Sequence, residues 1–192
     1  MEYKKLPEGF KLDKYGLHVR LVNEDDAAFI VKLRTDERLG QFIHATSPDV
    51  EQQKAWIRNY KKREAEGLEY YFIFYKNGVP FAINRLYHME NPTRFTSGSW
   101  IVLPGYPTED VVATSLIPRI IAFEQLGREM EFGVEGCHED NKKVIKFNLM
   151  VGMHIKGQRI DEESGGLYYT FDMPKEDFYK AKAKLERMLN LQ

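Results

Sequence analysis

The sequence predicts an α/β or α+β domain, a mixed sheet with helices packed against it. Three observations lead there. β-rich runs stand before, between and after stretches of helical periodicity; two of them are joined by Asn77-Gly78; and no repeat or low-complexity linker divides the chain. With 192 residues, 43% hydrophobic and 13% aromatic, the chain is long enough to bury roughly 70% of its unfolded surface in one core, so one domain is expected.

The elements follow in order. His18 to Val22 alternates as a short strand, and Asn23 with Asp26 three residues later forms a cap-like start for a helix carrying Ala27, Ile30, Leu33 and Arg34. Ser47 before Pro48 reads as the N-cap of a second helix, with Trp56, Ile57 and Tyr60 on its buried face and Gly67 at its end. EYYFIFYKNGVPFAINRLYHM reads as a hairpin, because Asn77-Gly78 tolerates the positive φ angles of a type I′ turn. Phe95 to Leu103 is a further strand, stopped by Pro104-Gly105. Thr108 is placed to cap a helix towards Gly127, with a bend near Thr114 where the Pro118 ring opposes a carbonyl. Met130 to Cys137 reads as a strand, Lys142 to Val151 as a helix, and His154 to Asp161 with Leu167 to Met173 as a last hairpin around Ser164-Gly165-Gly166. A lysine-rich helix follows Pro174.

Charge and composition exclude several classes. Lys and Arg number 28 against 29 Asp and Glu, so no basic footprint points to nucleic acid or an anionic membrane. Lys61, Lys62 and Arg63 are followed by Glu64 and Glu66 and read as a solvated helix face. The single Cys137 fits a reducing, cytoplasmic compartment. No uncharged apolar run reaches the length of a membrane span, and the first residues lack the apolar core of a signal peptide, so a soluble protein is expected. Phosphate-loop, dinucleotide-fold, G-x-S-x-G and paired-histidine metal motifs are all missing, so no metal site is expected. Cys137 and His138 are adjacent, but neighbours on a strand point to opposite faces, which argues against a dyad.

The junction at Asn141, in CHEDNKKVIKFNLMVGM, stands between a strand and a helix that closes on Gly152. Taken with LHVRLVNEDDAAFIVKLR, GVPFAINRLY, GSWIVLP and N-x-x-V-I-x-F-x-x-x-V-G-M, the order of elements over residues 17–173 resembles the GNAT superfamily of N-acetyltransferases. LRTDERLGQFIHATSPDVEQQKAWI with EYYFIFY is similar to its subgroup acting on small amines such as nucleotide-linked amino sugars. The resemblance implies a mostly antiparallel twisted sheet of six to seven strands with about four helices, flanked by an N-terminal extension (1–16) and a C-terminal helix (174–192) packed on the domain. That helix is free to cover its own domain or a second subunit, so a homodimer stays open.

The resemblance further implies acetyl-CoA as co-substrate, entering where two neighbouring strands splay. Its arm would pair with backbone at Ile101, Val102 and Leu103, its phosphates would meet helix amides at Thr108, Val111 and Val112, and Asn141 would lie beside the arm. Asn141 has a second reading as a plain N-cap. Two departures from the family pattern stand out. LPGYPTEDVVA replaces the usual glycine-rich phosphate loop and carries Glu109 and Asp110. The tyrosine expected seven residues after Asn141 is Asn148, a hydrogen-bond donor to sulfur but no ordinary acid. The fourth-strand glutamate that serves as base in some relatives is replaced by Thr96 or Ser97, leaving His44, Glu135 and His138 as base candidates.

On the substrate side, Arg85 lies within F-x-I-x-R-x-Y and needs an anion, either a substrate phosphate or an internal carboxylate. Tyr87 shares its face, and Trp100 reads as a stacking platform or as core. FIHATSP reads as a lid. The expected activity is direct acetyl transfer to a small-molecule primary amine, without a covalent enzyme intermediate, because no well-placed Cys or Ser nucleophile exists. Protein N-terminal acetylation and a non-catalytic acyl-CoA or partner-binding domain are the alternatives.

Overall fold

The computed structural model describes residues 4–43, 46–162 and 165–191. Among these residues eight strands form one sheet in the order β1-β2-β3-β4-β5-β6-β8-β7. They are β1 Lys11–Lys14, β2 Leu17–Leu21, β3 Tyr70–Lys76, β4 Val79–Tyr87, β5 Arg94–Val102, β6 Met130–His138, β7 His154–Ile160 and β8 Leu167–Pro174. The α-helices of the described residues are α1 Ala27–Arg34, α2 Val50–Glu66, α3 Thr108–Ile120, α4 Lys142–Met150 and α5 Lys175–Leu189. The expected mixed, mostly antiparallel sheet is present, with one strand more than the sequence predicted. The extra strand is β1, from the segment read as an extension. It pairs with β2 across Tyr15-Gly16, whose φ angles of 55° and 70° make a turn that a tyrosine does not announce.

The sheet has a core on each face. Phe72, Phe74, Leu86 and Phe95 pack against Leu116, Ile120 and Phe123 from α3 and its extension, and against Phe178 of α5. Tyr71, Ile73, Ile83 and Ile101 pack against Ile30, Leu33, Ile57 and Tyr60 of α1 and α2. Alternation therefore assigns Ala82, Asn84 and Leu86 of β4 to the α3 face and Ile83, Arg85 and Tyr87 to the α2 face.

Local signals hold in most places and shift in some. Asn23 and Asp26 form a reciprocal capping box, and Asn77-Gly78 takes φ values of 51° and 78°. The α2 cap is Asp49, two residues beyond Ser47; its carboxylate accepts from the amides of Glu51 and Gln52, while Ser47 accepts from Asp49. Trp56 is 38% exposed, because the buried face of α2 runs through Gln53, Ile57 and Tyr60. Pro107 takes the N-cap position of α3, which leaves Thr108 in the first turn without a side-chain cap.

Pro118 lies inside α3 and deprives the Thr114 carbonyl of its helical donor. Asn84, buried in β4, supplies the replacement, its Nδ2 donating to Thr114 O at 3.2 Å, while Ser97 donates to Asn84 Oδ1 at 3.0 Å. The helix continues past Pro118 into a π-turn, Ile121–Gln125.

The decisive feature of the sheet is where β5 and β6 part. Their parallel pairing consists of Arg94 with Met130 and Phe95 with Glu131. At the next step the Thr96 hydroxyl donates to Phe132 O at 2.6 Å, a side chain standing where a ladder bond would be. Beneath this point Glu131 is buried and bidentately held by Arg119 of α3, at 2.7 and 2.8 Å, and accepts the Ser97 amide as well. Arg119 also donates to Ser115 O. Burial pushes the Glu131 carboxyl up, and Arg119 with the Ser97 amide pulls it back.

Removing the cation leaves a buried carboxylate unpaired. Arg119→Met is expected to cost about 3–5 kcal/mol in urea unfolding, read as a lower midpoint with an unchanged slope.

Candidate functional site

Beyond Thr96 the edge of β5 is open towards β6, and a bulge shapes it. Ser99 and Trp100 together face Asn84 of β4, with Ser99 at φ 48°. Leu103 donates its amide to Phe81 O at 2.8 Å, so in an antiparallel ladder Ile101 and Leu103 turn their backbone towards β4, and Val102 turns its own towards the gap. Of the three residues expected to offer backbone to a ligand arm, Val102 alone turns it towards the gap.

The helix that follows corrects a second expectation. Val111 donates to Pro107 O at 3.1 Å, closing the first helical bond, and Val112 sits in the core. The amides left without an intrahelical acceptor are those of Thr108, Glu109 and Asp110, so an anion would meet these rather than Val111 and Val112. Asp110 does not confront such an anion directly, because its carboxylate is buried and paired to Lys76 at 2.8 Å. Tyr106 stacks on Phe81, with ring centroids 4.2 Å apart, and pins the loop leading into α3.

The gap's far wall is α4. Asn141 holds the N-cap position of α4 without a side-chain capping bond, which leaves its side-chain amide for other partners. Asn148, two turns on, shares a helix face with Asn141. Trp100 belongs to this side: its indole N–H donates to Thr114 Oγ1 at 2.8 Å and its ring lies 4.5 Å from Phe147. It spans from α3 to α4 and is no part of an acceptor platform.

On the opposite face the sequence candidates do come together. Tyr87 Oη lies 3.2 Å from one oxygen of Glu135 in β6, and the Arg85 guanidinium is 4.9 Å from the Tyr87 ring. Tyr87 crosses β5 over Gly98, where an added Cβ would stand 2.6 Å from the phenol oxygen. Burial and the Glu135 carboxylate push the Tyr87 phenol well above its ordinary range, so it is a hydrogen-bond donor at neutral pH. Arg85 finds an internal carboxylate, Glu69, at 2.5 Å, and is covered by Trp56 at 5.1 Å. Trp56, Asn59, Arg63, Glu69, Tyr87 and His88 contribute to a pocket of about 210 Å³ beside this cluster.

His88 completes it, with Nε2 3.1 Å from the other Glu135 oxygen. Strand alternation would send His88 to the opposite face from Tyr87. Its φ of 52° turns it back, which is why the sequence pattern does not reveal it. His138 is held apart: its Nδ1 accepts the Asp140 amide at 3.1 Å, and its ring stacks on Phe42 and meets Tyr168 edge-on. His44 lies outside the described residues. Cys137 is buried, and burial pushes its thiol up from 9.0 to about 11. Among the described residues no cluster of three potential ligands could hold a metal ion, and no helix is long and apolar enough to cross a membrane.

Comparison with solved structures decides the family. Apo FdhC, a nucleotide-linked sugar GNAT, superposes with a TM-score of 0.74 at 33% identity, over 94% of this chain and 99% of that one. The chain belongs to the GNAT superfamily. It is therefore an acyltransferase. Two further GNAT-type folds agree at low identity: a ribosomal-protein-S5-alanine acetyltransferase from Vibrio fischeri (TM-score 0.73, 12%, over 88% and 98% of the two chains) and a GCN5-related N-acetyltransferase from Brucella melitensis (0.75, 13%, 98% and 88%). At that identity they speak for the fold alone. No protein-family model and no curated protein matches the chain. GNAT enzymes use acetyl-CoA as co-substrate. The open β5 edge, the unpaired Val102 backbone and the amides of Thr108 to Asp110 fit such a molecule.

The Cys137 thiol stays neutral below about pH 11. At pH 8 its thiolate fraction is about a hundredfold below that of an unperturbed cysteine. Reaction of the native protein with a disulfide reagent is expected to be correspondingly slow, and fast only after denaturation.

Proposed function

We propose that the protein transfers an acetyl group from acetyl-CoA to the primary amine of a small molecule, a nucleotide-linked amino sugar being the preferred acceptor. The observation that carries this reading is the end of β5–β6 pairing at Phe95 and Glu131. It leaves the Val102 backbone for the amides of the arm and the bulge at Ser99–Trp100 beside the thioester. A backbone N–H there would face the oxygen that gains charge as the amine attacks; losing a comparable donor costs about 3–4 kcal/mol elsewhere.

The amine nitrogen bonds to the thioester carbonyl carbon, the carbon–sulfur bond breaks, and the sulfur leaves as thiolate. Asn148 supplies a hydrogen bond to sulfur, and the proton that restores the thiol comes from water, since an amide is no acid. The proton lost by the amine goes to Glu135. The buried, neutral Cys137 offers no nucleophile, which supports direct transfer.

Three features support the acceptor class. The identity with FdhC, itself a nucleotide-linked sugar GNAT, covers nearly the whole chain. The pocket of about 210 Å³ lined by Tyr87 and His88, the two hydrogen-bond partners of Glu135, has the scale of one sugar ring, and Phe42, 42% exposed and stacked on His138, offers an aromatic face for a base. A cytoplasmic setting belongs to the same reading, on the single cysteine and the supply of acetyl-CoA.

Thermal shift with acetyl-CoA, followed by thiol release against a panel of amines, tests this. At a hundred times its dissociation constant acetyl-CoA is expected to stabilise the fold by about 2.7 kcal/mol, with thiol release on nucleotide-linked amino sugars ahead of polyamines and peptide N-termini. Stabilisation without thiol release would instead make the protein a binding module, and an acetylated enzyme on the reaction path would exclude direct attack.

A further inference from the structure

We propose that His88 is a positioning residue for Glu135, fixing that carboxylate where it receives the proton of the attacking amine. The inference rests on the transfer reading above and adds to it the group that aims the base.

The geometry at His88 is costly and directed. It is a non-glycine residue at φ 52°, directly after β4, a conformation that side-chain-bearing residues rarely adopt and that collects at functional sites. What the turn achieves is specific. It places the imidazole on the same side as Tyr87, with ring centroids 4.7 Å apart, and brings Nε2 to 3.1 Å from Glu135 Oε1 across the open strand edge. Tyr87 holds the other oxygen, Oε2, at 3.2 Å. Each carboxylate oxygen thus has one donor, and each keeps a lone pair for an incoming amine.

The base is held from behind as well. Glu135 lies within the irregular stretch of β6 between Gly133 and Cys137, where Gly136 takes φ 77°. Arg159 of β7 donates twice to the Glu135 carbonyl, at 2.9 and 2.6 Å. The side chain remains about half exposed, open to a substrate. The charged and titratable groups around His88 are Glu135 of β6, Tyr87 of β4, Glu90 in the loop that follows, and Arg63 of α2, which pairs with Glu90 at 3.0 Å. In the step itself the amine N–H proton passes to Glu135 as the nitrogen–carbon bond forms. The His88 Nε2–H bond is kept throughout.

Steady-state kinetics on four variants test the assignment. Glu135→Gln is expected to lower kcat about a hundredfold or more. His88→Ala is expected to lower it about tenfold, with KM for acetyl-CoA unchanged, because the arm lies on the other face. The double variant should be no slower than Glu135→Gln, since His88 acts through that carboxylate. His88→Gln keeps an N–H donor at the reach of Nε2, so it should recover most of the lost rate and melt near the wild-type temperature. Losses that multiply in the double variant, or a wild-type rate in either single variant, overturn the proposal.

A nitrogen-15 spectrum of the imidazole gives an answer independent of turnover: the Nε2–H tautomer in the wild type, disturbed in Glu135→Gln. A ring indifferent to residue 135 rejects the proposal even if the acceptor is still unknown. Wild-type protein that acetylates no amine, with the ring coupled to Glu135 as described, sinks the transfer reading and with it the catalytic part of this one.

Discussion

The separation of β5 from β6 is the constraint on which the rest depends. Two parallel neighbours ordinarily continue to pair, since every unpaired backbone group buried beside them is expensive. Here the ladder stops after Phe95 and Glu131, and side chains take over the accounting. Thr96 satisfies the Phe132 carbonyl, Glu131 satisfies the Ser97 amide, and Arg119 neutralises Glu131 from α3. A buried ion pair is a poor source of net stability compared with apolar packing of the same shape. Its value at this point is positional: it holds a wedge of polar groups where continued pairing would have closed the site.

The opening presents different chemical groups on its two faces. On the α3 face lie the groups suited to a long, amide-bearing ligand: the Val102 backbone, the first amides of α3, and Asn141 and Asn148 on α4. On the α2 face lie a protonated phenol and an imidazole that line a small pocket, both hydrogen-bonded to the Glu135 carboxylate. Gly98 connects them. Lacking a side chain, it allows Tyr87 to lie across β5 and reach Glu135 on the strand beyond. Asn84 serves both the sheet and α3, since it answers the carbonyl that Pro118 strips of its helical donor.

Much of this was legible in the sequence, and where it was not there is a physical reason. Periodicity and turn chemistry identified the Asn77-Gly78 hairpin, the Asn23 box, and the α2 and α4 helices, because these depend on neighbours in the chain. Arg85, Tyr87 and Glu135 could be singled out as candidates because each is a chemistry-bearing side chain on a strand. Their grouping depended on register, which a strand pattern does not specify across a gap. His88 escaped because alternation assigns faces only while the backbone stays extended, and its φ of 52° breaks that rule. Trp100 was legible as a stacking platform or as core but not as a bridge between α3 and α4, since the bulge at Ser99 shifts the face of everything after it. β1 was missed because Tyr15 sits at positive φ, and Val111 and Val112 were named for free amides they do not have, because the helix begins one residue earlier in hydrogen bonding than a Thr108 cap would allow.

Amide hydrogen exchange along β5, measured with and without acetyl-CoA, tests the central claim most directly. Val102 has no strand partner on its β6 side, so its amide should exchange quickly in the free protein and slow markedly when the co-substrate is bound, while Leu103, already bonded to Phe81, should change little. Saturating acetyl-CoA that leaves Val102 as exposed as before would contradict the account, for the arm would then lie somewhere other than between β5 and β6.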